Sequence, residues 1–382
     1  MFNSFVEFVR EIYGTKSFIP LHEPCFLGNE KKYLLDTIDS TFVSSVGIYV
    51  DEFENKIANF TGAKHAIAIV NGTSAIHIAL LLAGVREGDE VITQSLTFVA
   101  TCNAISYCQA ESVFVDVERC TLGLCPKSLE DFLKEHAEIR DDGFCWNKVT
   151  NKPIRACLPM HTFGHAARIE AINEVCERYN IALVEDAAES LGSFYKKKHT
   201  GTTGKTAALS FNGNKIITTG GGGMILTNDT QLAKRAKHIT TTSKKPHAWF
   251  FEHDDYGFNY RMPNLNAALG LAQMEQLPNF VIHKRHLSVQ YNQWCKDKGV
   301  EFVLEPDGAC SNYWLNSIIL SSRRELDDFL AYTNERQVMT RPIWTPMHRL
   351  PMFKHCQRTN LTMTNYIADR LVNIPSGVKF SE

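Results

Sequence analysis

From residue 66 onward the chain alternates short apolar runs with longer stretches of helical periodicity. Residues 66–70, 91–93, 112–115, 155–159 and 181–184 are the apolar runs, and each is too short for a core helix. Strands that are apolar throughout belong to sheets shielded on both faces, so the alternation predicts an α/β fold with a mostly parallel sheet flanked by helices. In such sheets ligands collect at the carboxyl ends of the strands. Two further runs, 207–211 and 223–227, flank a polar turn and predict a hairpin. Near the start, Phe5, Val9 and Ile12 recur at helical spacing before Gly14, which predicts a short amphipathic helix; Pro20 and Pro24 then mark an extended lead-in. Beyond residue 263 the pattern predicts a helix over 264–276, strands over 300–304 and 314–320, and a helix over 324–332. At 382 residues the chain exceeds the size at which one core stops growing. The expected division is an N-terminal helix and lead-in (1–19), a large domain (20–263) and a smaller C-terminal α/β domain (264–382).

Charge and cysteine usage narrow the function classes. The 40 basic and 42 acidic side chains nearly cancel, so no broad field favours nucleic acid or an anionic membrane. The eleven cysteines are odd in number and never form Cys-x-x-Cys, which argues against a disulfide framework or a zinc knuckle. No basic leader precedes an apolar run, and the longest apolar stretch, 76–85, is too short to span a bilayer. These features predict a cytoplasmic protein that binds neither nucleic acid nor membrane.

The candidate chemistry lies around Lys215, in Ser210-Phe211-Asn212-Gly213-Asn214-Lys215, with Gly220 to Gly223 just beyond. Thirty residues upstream stands Val184-Glu185-Asp186-Ala187-Ala188-Glu189. An amine that condenses with an aldehyde, an acid that keeps a pyridine nitrogen protonated, and donors for a phosphate are what pyridoxal 5'-phosphate (PLP) requires. Asn71-Gly72-Thr73-Ser74 joins a predicted strand to a predicted helix, and the free amides of a helix N-terminus attract anions. Thr73 or Ser74 also reads as a plain helix cap, and Ser210 either donates to the same phosphate or satisfies local backbone. Asp186 either grips the pyridine nitrogen or caps the next helix. Glu189 reaches the ring hydroxyl or forms a capping box. Phe98 stacks on the pyridine or packs in the core. His161 and His165 have the spacing of metal ligands on a helix, but Gly164 between them and the missing acidic base leave no metal expected.

Read in order, these residues resemble the DegT-type PLP-dependent nucleotide-sugar aminotransferases of fold type I. The matching pieces are Asn71-Gly72-Thr73-Ser74-Ala75, Thr97-Phe98-Val99-Ala100-Thr101, Glu185 to Glu189, Ser210 to Lys215, and Asn259-Tyr260-Arg261-Met262. Ile19-Pro20-Leu21-His22-Glu23-Pro24 and Ser40 to Gly47 look most like the branch serving legionaminic acid and bacillosamine-type sugars. The resemblance implies Lys215 as the Schiff-base lysine, with the cofactor cycling to pyridoxamine 5'-phosphate. It places Gly72, Thr73, Ser74 and Ser210 at the phosphate, Phe98 over the ring, Asp186 at its nitrogen and Glu189 near its hydroxyl. It also implies a homodimer with shared active sites, in which Asn259 reaches the neighbouring cofactor's phosphate. The expected reaction moves an amino group from L-glutamate to the C4 ketone of a UDP- or GDP-linked 4-keto-6-deoxy sugar, for surface-glycan or nonulosonic acid biosynthesis. Arg341 and His348 are candidate contacts to the nucleotide sugar. A PLP-dependent sugar dehydratase and a non-catalytic PLP-binding regulator are the alternatives; relatives that dehydrate carry histidine where this chain has Lys215.

Overall fold

The computed structural model describes residues 1–378. Seven strands form the central path of a nine-stranded sheet: β1 (His65–Ile69), β2 (Glu90–Gln94), β3 (Glu111–Val115), β4 (Lys152–Leu158), β5 (Ala182–Asp186), β6 (Thr206–Ser210) and β7 (Gly223–Thr227). Their spatial order is β1-β7-β6-β5-β4-β2-β3. Neighbours from β6 through β3 run parallel, while β7 runs antiparallel to both β1 and β6. The predicted hairpin is therefore the β6–β7 pair. Strands Ala137–Ile139 and Cys145–Asn147, which the apolar pattern did not mark, extend β4 as an antiparallel ribbon.

The alternation of faces along each strand separates two cores. Val91 and Val184 pack with Ile76, Leu80 and Ile78 of helix Gly72–Ala83 on one side. Ile92 and Leu183 pack with Ile172 and Val175 of helix Ile169–Arg178 on the other. Because both faces are covered, β2 is buried at every position. The carboxyl ends of β5 and β6 and the amino end of helix Gly72–Ala83 consequently face a common rim.

One helix runs far past its predicted end at 276: Asn264–Lys298 spans 35 residues with Pro278 inside it. A proline costs a helix interior about 3 kcal/mol. That cost is offset because the two halves bury different faces, each large side chain contributing roughly 1.5–3 kcal/mol. Ala267, Met274 and Leu277 pack with Phe53 and Phe211, whereas Leu287, Tyr291 and Trp294 pack with Phe5, Val9 and Phe329. The N-terminal helix, Phe2–Tyr13, thus lies against the far half of this rod, and Gly14 ends it with a left-handed φ of 55°. A four-stranded antiparallel sheet of residues 301–302, 316–319, 371–374 and 341–342 completes that end.

Candidate active site

At the carboxyl end of β1, Asn71 turns the chain into helix Gly72–Ala83, its side chain accepting from the Ser74 amide at 2.7 Å. The cap is therefore Asn71, which corrects the assignment of that duty to Thr73 or Ser74. By position, the amides of Gly72 and Thr73 have no acceptor inside the helix and point toward the rim. The end of β6 crosses close by: a β-carbon on Gly72 would lie 2.8 Å from Cβ of Ser210, so only glycine lets the serine hydroxyl sit beside these amides. A β-carbon on Gly223 would meet the Asn71 carbonyl at 2.6 Å, which gives the glycine run a packing duty at the same place.

Asp186 ends β5, buried, facing this cradle. Its Oδ2 accepts from the Thr101 hydroxyl at 2.7 Å, and Thr101 lies 2.7 Å from the Thr97 hydroxyl. Its Oδ1 accepts from the Ala188 amide at 3.1 Å, an Asx-type turn with no helix to cap. Burial raises its pKa, against the lowering by Thr101, the Ala188 amide and the charge of Lys215. Glu189 follows in a turn and forms no capping box. One of its oxygens accepts from the Phe163 amide at 2.9 Å and the other lies 3.1 Å from Lys215 Nζ. Burial pushes the Glu189 carboxyl up to about 7 despite that cation.

Lys215 sits on the β6–β7 connection, held by a turn in which its amide donates to the Asn212 carbonyl at 3.0 Å and by the Thr219 amide donating to Phe211 at 3.0 Å. The indole of Trp314 covers its amine, with Nζ 4.0 Å from the ring centroid, and Trp314 Nε1 donates to the Asn214 carbonyl at 2.7 Å. Gly72, Thr73, Phe98, Asp186, Glu189, Ser210 and Lys215 all line one cavity of about 310 Å³. Phe98, 47% exposed, stands at its mouth and does not serve the core. Ser74 is buried behind the cradle.

Other candidates lie elsewhere. Asn259 is exposed, bridged to Thr241, and does not line its own chain's cavity. Arg341 is exposed on an edge strand, its guanidinium donating to Asn334 Oδ1 at 3.0 Å, and His348 Nδ1 lies 2.7 Å from the Ser95 hydroxyl. Neither reaches the cavity of this chain. Instead Trp344, between them in sequence, lines it together with Trp314, Met160 and Thr101. The pattern gave Trp314 only as part of a strand. An indole N–H bonded across to the lysine loop has no sequence signature.

His161 and His165 are not on a helix; a short 3-10 turn, Thr162–Gly164, separates them. His161 Nδ1 accepts from the Ala167 amide at 3.1 Å, which leaves the proton on Nε2 to donate to Glu185 at 2.9 Å. That histidine is committed to structure.

The cavity fits PLP on three counts independent of each other: an amine, a buried acid at a strand end, and a glycine-relieved helix N-terminus with a hydroxyl beside it. Residues 24–382 match the DegT/DnrJ/EryC1/StrS aminotransferase family. The chain is 36% identical to the GDP-perosamine synthase of Escherichia coli O157:H7 over 94% of its length and 93% of the relative's. It is 35% identical to that of Vibrio cholerae, covering 94% of each. A DegT DnrJ EryC1 StrS aminotransferase from Brucella abortus superposes with a TM-score of 0.83 at 26% identity, covering 93% of this chain and 91% of that one. The chain therefore belongs to the DegT/DnrJ/EryC1/StrS aminotransferase family and is a PLP-dependent sugar aminotransferase of the α/β, fold type I architecture.

Proposed function

We propose that the protein moves an amino group from L-glutamate to the C4 ketone of a nucleotide-linked 4-keto-6-deoxy sugar. The observation that carries this reading is the convergence of Lys215, Asp186, Glu189 and the Gly72–Ser210 cradle on one cavity. When bound, PLP supplies an electron sink for the C–H bond that breaks beside the donor's nitrogen, and stores that nitrogen between half reactions. Gly72, Thr73 and Ser210 hold its phosphate through amides and a hydroxyl. Asp186, oriented by Thr101, would hold a proton on the ring nitrogen through a charge-assisted bond. Glu189, its carboxyl pushed up to about 7, would exchange a proton at the ring hydroxyl and accepts from the Lys215 amine at 3.1 Å. Lys215 would carry the cofactor's aldehyde carbon and, when free, would take the proton from the donor's α-carbon. Help of that kind is worth about 10²–10⁴ in rate.

The shared site of a homodimer is part of this reading. It is supported by Asn259, exposed and outside the lining of its own chain's cavity, and by the loop before it, which presents Trp249, Phe250, Phe251 and Tyr256 to solvent. Aromatic side chains in such number suit a protein interface. Among the described residues no helix is long and apolar enough to cross a membrane, and the eleven cysteines are unpaired, which fits the reducing cytoplasm.

The test is one incubation of the purified protein with L-glutamate and a panel of keto-sugars. The GDP-perosamine synthase relatives put a GDP-linked sugar in the panel, and the likeness of residues 19–24 and 40–47 to the legionaminic acid and bacillosamine branch adds a UDP-linked one. Mass and NMR of the product then read amine gain at C4. Loss of water without nitrogen gain supports the dehydratase; a visible PLP band that L-glutamate fails to bleach supports the regulator.

A further inference from the structure

Midway along helix Asn264–Lys298, Lys284 is fully buried and has no carboxylate partner among the described residues. Its ammonium donates to two carbonyls, Trp314 at 3.1 Å and Ser376 at 2.6 Å. Burial pulls its pKa down to about 7. A lysine buried without a counter-charge is costly, and such groups persist where they serve something beyond packing.

The Trp314 carbonyl is the back of the residue whose ring covers the Lys215 amine. Four contacts fix that residue. Its amide donates to Asn312 Oδ1 at 2.8 Å, its indole N–H donates to the Asn214 carbonyl at 2.7 Å, its carbonyl accepts from Lys284, and its ring faces Lys215 Nζ at 4.0 Å. Lys284 and Lys215 are thus joined through a single residue, Lys284 on its backbone carbonyl and Lys215 on its ring. His22, in the lead-in segment, closes the group: both its ring nitrogens are buried without a partner. Its pKa is lowered first by burial and then by the positive charges of Lys284 and Lys215, so it lies within electrostatic reach of both. The Ser376 amide donates to the Leu21 carbonyl, the neighbour of His22, at 2.7 Å. Three distant chain segments meet at one ammonium, with the lead-in segment beside them.

We propose that Lys284 is a positioning residue that grips Trp314 from behind, keeps its indole over the Lys215 amine, and so sets how readily that amine reacts. The proposal rests on the reading of Lys215 as the reactive amine of the site. An ammonium facing an aromatic ring is held by about 0.5–1 kcal/mol, so releasing the ring changes reactivity by roughly two- to fivefold. Lys284 touches neither cofactor nor substrate; its effect runs through Trp314.

The experiment measures carbamylation of Lys215 by cyanate in the full-length, cofactor-free protein, by peptide mass mapping. The variants are Lys284→Met, Trp314→Leu and the two combined, each checked for folding by circular dichroism. Lys284→Gln, which keeps one donor, carries the test where Lys284→Met does not fold. Both single variants are expected to speed carbamylation roughly two- to fivefold. The double variant should be no faster than Trp314→Leu alone, and Trp314→Phe, which keeps a ring, should stay nearer the wild type. In the PLP-loaded enzyme Lys284→Met should shift kcat in the same direction as Trp314→Leu while leaving KM for L-glutamate unchanged. A folded Lys284 variant with the wild-type carbamylation rate overturns the proposal, as does a double variant in which the two effects multiply. Borohydride trapping of PLP on the wild-type protein separates the two readings. If it does not mark Lys215, the site assignment fails; if it does and Lys284→Met changes nothing, the positioning role alone fails.

Discussion

Glu185 and Asp186 are consecutive, both buried, and both carboxylates, yet β5 sends them to opposite faces. Behind the strand, Glu185 accepts from the amides of Gly201, Thr203 and Gly204 at 2.7–2.8 Å and from His161. Burial raises its pKa, but these donors together outweigh burial and the net shift is downward. In front, Asp186 and Glu189 have fewer donors than oxygen lone pairs, and burial leaves both shifted upward. A fully satisfied buried carboxylate is a rivet. An under-satisfied one facing a cavity is held ready for a ligand's positive edge or proton.

The sharpest break of this contrast is Lys215→Ala. It should cut turnover by 10²-fold or more, about the worth of acid–base help alone, and abolish borohydride trapping, without loss of the melting midpoint. Next is Glu185→Gln, which places an amide where four N–H donors converge. It should destabilise the fold by about 3 kcal/mol in chemical denaturation, the scale of breaking a buried charged network. Asp186→Asn on the front face should act on function instead, costing roughly 10- to 100-fold in kcat/KM from one lost charge-assisted bond.

The pH dependence of stability should differ in sign between the two faces. Glu185, shifted down, contributes stability above its ordinary pKa of 4.5 that is lost as pH falls through its folded value. Glu189, shifted up to about 7, contributes stability below 4.5 that is lost as pH rises through 7 in the cofactor-free protein. Glu189→Gln should flatten the limb between 4.5 and 7 and leave the acid limb intact, as read by midpoints across a pH series. Lys284 acts in a different window, above 7, where losing its proton favours the fold. The smallest effect expected is that of Asn259→Ala, a weakening of PLP binding by roughly fivefold, the worth of about one hydrogen bond. Titration of the visible band checks it.

Strand positions, and the gathering of the front-face residues at one cavity, were legible because they follow short-range rules. Short runs apolar on both faces mark most of β1 to β7, and an acid ending such a run marks Asp186. The hidden parts depend on residues distant in sequence. Glu185 looks as available as Asp186 until the turn at 201–204 folds its amides onto it. Asn71 took the cap from Thr73 and Ser74 because β1 aims its side chain back at the first turn. Trp314 and Trp344 reach the cavity from the C-terminal end of the chain, about a hundred residues or more past Lys215. The helix expected over 264–276 continues past Pro278 because tertiary burial carries it through to Lys298.

The Asn264–Lys298 rod begins beside the rim, where Asn264 donates to the Phe42 carbonyl, and ends against the N-terminal helix. Thirty-five residues at 1.5 Å each make a lever of roughly 50 Å. Trp294 packs with Phe5 at its far tip on the same rod that carries Lys284, so a cavity cut there is expected to loosen the seat of Lys284. Remote packing changes at that end should therefore register as altered chemistry at the rim, which makes the distal aromatic cluster a tuning handle for engineering the reaction rate.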